Sequence, residues 1–124
     1  MVYIGRNVGR NQTDFPMGEY QIVWRSKARR QYIQQLIYAQ QEFGSKTFYR
    51  WVESVKDMED RLRENPRSYT RVLELIDEPR EYRGHIVMKN FKIIYSFDES
   101  RHLVKIVTIW DMRMNPVKLN QMIK

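Results

Sequence analysis

A chain of 124 residues with a formal net charge of +7 and a pI near 9.8 is the size of one domain, and its charge favours polyanionic or acidic partners. Hydrophobic residues at 42% and aromatics at 13% let burial offset chain entropy, which excludes wholesale disorder. Cysteine is absent, which excludes disulfides and thiolate zinc sites, and no run of about 18 apolar residues is present to span a membrane.

Residues 1–18 (MVYIGRNVGRNQTDFPMG) are polar, glycine-containing and without period. They are expected to form a mobile arm ahead of a single domain over 19–124, with Met17 a candidate alternative start. Lacking a continuous apolar signal segment, the chain is expected in the cytoplasm.

Residues 20–25 (YQIVWR) are β-rich and predict a first strand. Ser26 is the expected cap of a helix in which Ala28, Tyr32, Ile33, Leu36, Ile37, Gln40 and Phe43 recur at helical spacing, with Gly44 as its stop. A second helix is predicted over 45–64, with one apolar stripe of Phe48, Trp51, Val52, Val55, Met58 and Leu62. Its outer face offers the pairs Asp57–Arg61 and Glu59–Arg63, four apart. Asn65-Pro66 ends it, because proline disfavours helical geometry in the residue before it. The two helices therefore form an antiparallel hairpin.

Residues 67–79 predict an irregular connection with one short helical turn. Three strands follow, over 81–89, 91–97 and 102–110, joined by a tight turn at Lys89-Asn90 and by the loop DESR. The fold class expected is α+β: a strand, a two-helix hairpin, then a three-strand antiparallel meander in one sheet packed on the helices.

Positive charge concentrates in this last third. Residues 80–124 hold nine Lys/Arg against four acids, an excess of five, whereas residues 19–66 hold nine against seven. Alternation along the strands, with Lys89-Asn90 as a two-residue turn, pairs Met88 with Phe91 and Ile86 with Ile93. Ile86, Met88, Phe91, Ile93, Tyr95, Phe97, Val104 and Ile106 then share an apolar face against the helices. Arg83, His85, Lys92, Lys105 and Arg113 share the other. A one-residue slip would break this cluster.

The segments YQIVWRSKARR, LRENP, EYRGHIVMKNFKIIYSFD and VKIVTIWDMRMNP, in this order and spacing, resemble the RelE/ParE superfamily over about residues 19–118. That resemblance implies the toxin of a type II toxin–antitoxin (plasmid stabilization) system, neutralised by a cognate antitoxin protein. It implies one of two activities: metal-free mRNA cleavage on the ribosome, or gyrase poisoning without a reaction of its own.

Carried over by spacing, the cleavage roles fall on Arg83, His85, Lys92 and Arg113. His85 would be acid or base, and the three cations would stabilise the phosphorane. Lys89, Lys105 and Trp110 are expected to contact nucleic acid or the target, although core packing is the better reading of Trp110. Three departures bear on the choice between activities. Lys92 stands where arginine is usual, the region after Arg113 reads NPVKLNQMIK without a tyrosine, and the long hairpin is more ParE-like. The composition alone also fits a harmless basic nucleic-acid-binding module. Asp98 and Glu99 sit in a turn and His102 at the core margin, so neither metal nor cofactor is expected. No P-loop, Gly-rich dinucleotide turn or nucleophile elbow is present.

Overall fold

The computed structural model describes residues 19–124; the expected arm and Met17 lie outside the described residues. Strand β1 (Gln21–Trp24) leads into helix α1 (Ser26–Phe43), which Gly44 separates from helix α2 (Ser45–Glu64). A two-residue strand β2 (Thr70–Arg71) and a 3-10 turn (Leu73–Leu75) precede the meander β3 (Arg83–Val87), β4 (Phe91–Asp98) and β5 (Leu103–Asp111). The chain ends in a 3-10 turn (Pro116–Lys118) and a short helix α3 (Leu119–Met122). No described helix is long and apolar enough to cross a membrane.

The architecture is the α+β arrangement expected, with one five-stranded sheet in the order β1-β5-β4-β3-β2. The meander is antiparallel, but β1 joins it parallel to β5, so the sheet is mixed. A parallel neighbour requires a long crossover, and here nearly the whole domain supplies it. The Tyr20 amide donates to the Arg63 carbonyl at 2.9 Å, tying the entry to β1 to the end of α2.

Helix α2 buries Trp51, Val55, Met58 and Leu62, each of which contributes about 1.5–3 kcal/mol on full burial. Helix α1 departs from expectation. Of the expected stripe Ala28, Tyr32 and Leu36 meet the core, joined by Ala39, while Ile33, Ile37 and Phe43 face solvent. Two apolar stripes exist on α1, and the one with Ala28, Tyr32, Leu36 and Ala39 packs on the core, with α1 against both α2 and β5. Gln31 exploits that packing: its Oε1 accepts from the Ile109 amide at 2.9 Å and the Thr108 hydroxyl at 3.2 Å.

Further local details differ from the sequence expectation. The first cap position is Arg25 rather than Ser26, and no side chain caps it. On α2 the ion pairs formed are Lys56–Asp60 and Asp60–Arg63, while Glu59 instead accepts from the Trp24 indole. Gly44 adopts φ 89° and ψ −176°, a region open essentially to glycine, which lets α2 start one residue after α1 stops.

The second face of the sheet is covered as well. Val72, Leu75 and Tyr82 from the connection, Ile94, Val107 and Trp110 from the sheet, and Leu119 and Ile123 from the C-terminus form a separate core. The Arg25 guanidinium donates to the Ile123 carbonyl at 2.6 Å, clamping the C-terminus beside the start of α1.

Candidate functional site

The connection between β3 and β4 has three residues, not two. Val87 pairs with Phe91, so Met88, Lys89 and Asn90 form the turn, with Met88 and Lys89 both at positive φ. This one-residue slip reverses the parity of β3 relative to β4. Arg83 and His85 therefore lie on the helix side, beside Tyr95 and Ile93, and Ile86 turns to the second face at 47% exposure. A bulge between Ile94 and Tyr95, opposite Val107, then reverses the end of β5. Ile109 consequently joins the helix-side core and Trp110 the other.

The five basic side chains expected on one face are thus divided. Lys92 lies on the second face, with its Nζ 5.9 Å from the centre of the Trp110 ring, and Lys105 occupies the same face further along the sheet. Arg83 is held on three sides. It donates to Glu81 at 2.6 Å, to the Tyr69 carbonyl at 2.7 Å and to the Arg67 carbonyl at 3.4 Å, with only 17% of its side chain exposed. It serves as a strut for the loop after α2. The buried Tyr95 hydroxyl adds a second anchor there, donating to the Pro66 carbonyl at 2.5 Å.

Arg113 follows β5 and lies over the Phe91 ring at 5.6 Å, doubly bonded to Asp111 at 2.8 and 2.9 Å. That bond holds the Asp111 carboxyl below its ordinary range. Trp110 is 4% exposed, so its indole offers no surface on which a base could stack, and its Nε1 has no partner among the described residues. Lys89 is exposed in the turn.

His85 has company that sequence did not reveal. Its imidazole stacks on Tyr69 at 4.1 Å, and burial followed by the Arg61 charge holds its pKa below the ordinary 6.5. A neutral imidazole, a phenol and the Arg61 guanidinium therefore meet between α2 and β3. Arg61 sits one turn from Asp57 on the flank of α2, a signal too common to single it out. Nothing local in the sequence places Tyr69 against His85, because the loop bends back only in three dimensions.

A separate cleft of about 390 Å³ opens between the helices and β1, lined by Trp24, Arg29, Tyr32, Val52, Val55, Lys56 and Glu59. Trp24 stacks on Tyr32 at 5.3 Å and donates to Glu59 at 2.9 Å. Burial and the Glu59 charge push the Tyr32 phenol up to about 12. His102, at the margin as expected, is exposed and stacks on Tyr20 at 4.9 Å. Among the described residues no group of three or more metal-ligating side chains converges. No family model matches the chain, and no curated protein matches it.

Proposed function

We propose that the chain is the toxin of a type II toxin–antitoxin pair of RelE/ParE type, acting in the cytoplasm by gripping DNA gyrase rather than by cutting mRNA. One observation carries the choice. Cleavage needs a proton acceptor, a donor and cations converging on one phosphate, whereas Lys92 lies on the opposite side of the sheet from Arg83 and His85. Arg83 is moreover spent on the loop it braces, and Arg113 on Asp111. The order of strand, long helix hairpin and antiparallel meander supports the superfamily. Neutralisation then falls to a cognate antitoxin encoded beside it.

Inducible expression tests this, combined with a supercoiling assay on purified gyrase and mapping of transcript ends. Growth arrest, blocked supercoiling and whole mRNA are expected, with toxicity retained in Arg113→Ala. Unaffected gyrase in the presence of arrested growth would overturn the gyrase assignment, and harmless expression would leave the basic nucleic-acid-binding module instead. Cleavage of mRNA has one observation in its favour, the neutral His85 imidazole beside Tyr69 and Arg61. Transcripts cut during translation, and spared in His85→Asn, would select that activity.

A further inference from the structure

The apex of the helix hairpin concentrates aromatic surface that the core does not use. Tyr38 and Phe43 at the end of α1 are 55% and 64% exposed, and Tyr49 at the start of α2 is 62% exposed. With Phe48 they form two edge-to-face pairs, Tyr38 with Phe43 at 6.0 Å and Phe48 with Tyr49 at 5.3 Å. One pair stands on each helix, on either side of Gly44. Phe48 is half-buried, and the other three rings remain more than half exposed.

Cations lie among these rings. Lys46 lies three residues before Tyr49 and four before Arg50 on α2, all three exposed, so Lys46 neighbours both on the helix surface. Among the described residues no ion pair engages either. Arg113, at the end of β5, is bound to Asp111 and takes no part in this set. Exposed rings on the hairpin that also carries Lys46 and Arg50 match a strand of stacked bases on a phosphate backbone. An acidic protein would take the charges but gains nothing particular from flat faces.

We propose that this apex is a stacking platform for single-stranded nucleic acid. The proposal stands on the apex alone and is independent of the toxin assignment. Bases stack on the Tyr38–Phe43 and Phe48–Tyr49 pairs, while Lys46 and Arg50 follow the backbone.

Fluorescence anisotropy of labelled oligothymidylate and oligouridylate with the whole chain provides the test, at several salt concentrations. Saturable binding that weakens with salt is expected. The combined Tyr38→Ala, Phe43→Ala and Tyr49→Ala variant should lose about tenfold or more in affinity, as removal of stacking rings does. Lys46→Gln with Arg50→Gln should flatten the salt dependence, because fewer counterions are released. A preference between the two oligonucleotides tells DNA from RNA. Circular dichroism melting checks the fold, and Tyr38→Leu with Tyr49→Leu removes flat rings while keeping apolar bulk. Absence of binding by the wild type overturns the proposal, as does unchanged affinity in both ring variants. Ring variants that abolish growth arrest while no oligonucleotide binds would assign the apex to a protein and overturn it equally.

Discussion

Gly84 is the residue on which the second face of the sheet depends most sharply. A Cβ built there would meet Lys92 Cγ at 2.9 Å and Cδ at 3.0 Å, and the Ile93 carbonyl oxygen at 3.3 Å. The aliphatic stem of Lys92 uses the space a side chain would occupy, and this sets the ammonium beside Trp110. Gly84→Ala is expected to cost on the order of 1–3 kcal/mol through overpacking, read from urea unfolding midpoints. His85 makes a prediction of opposite character, in pH rather than volume. Its folded pKa lies below the unfolded value near 6.5, so the unfolded chain binds more protons as pH falls through that value. Stability from His85 is full above about pH 6.5 and is lost below it, toward the lower folded value. Unfolding midpoints measured between about pH 7 and pH 5 should fall for the wild type and fall less for His85→Gln. Both residues are plain in the sequence, but their consequences follow from neighbours that only the register assigns.

At the scale of elements, helix α1 and strand β5 are joined by a device that repairs a defect. The bulge opposite Val107 interrupts the ladder, and the Gln31 side chain takes the Ile109 amide and the Thr108 hydroxyl nearby. Thr108 is fully buried, so loss of this acceptor strands donors away from water. Gln31→Ala is expected to destabilise by about 1–3 kcal/mol, and hydrogen exchange at Ile109 should accelerate more than at the paired amides of β4. The elements themselves were legible. Gly44 and Asn65-Pro66 end the helices where their backbone preferences require, and Trp51, Val55, Met58 and Leu62 form the buried stripe that helical period predicts. Strand parity was not legible, because a turn of three residues and a turn of two read alike at Met88-Lys89-Asn90. Met88 and Lys89 both adopt positive φ without being glycine or asparagine, which no local preference announces.

For the whole molecule, the sheet is covered on both faces, and the C-terminal segment matters more than its four-residue helix suggests. Leu119 and Ile123 are 1% and 3% exposed and close the core over Trp110 and Val107. Leu119→Ala should cost about 2–5 kcal/mol, and a red shift of tryptophan emission should accompany any opening of this face around Trp110. Register together with this coverage explains the fate of the candidate site. With both faces covered, the parity set by the turn sends Arg83 and His85 to the helix side and Lys92 beside the buried Trp110 on the other. Sequence by itself determined the α+β class, the hairpin, the apolar stripe of α2 and the concentration of positive charge in the last third. Those follow from local period and composition, which need no partner. Only the tertiary structure decided which face each cation occupies, which stripe of α1 is buried and that aromatic rings gather at the apex. Parity is reversed by a single extra residue, and burial depends on what a side chain meets rather than on what it is.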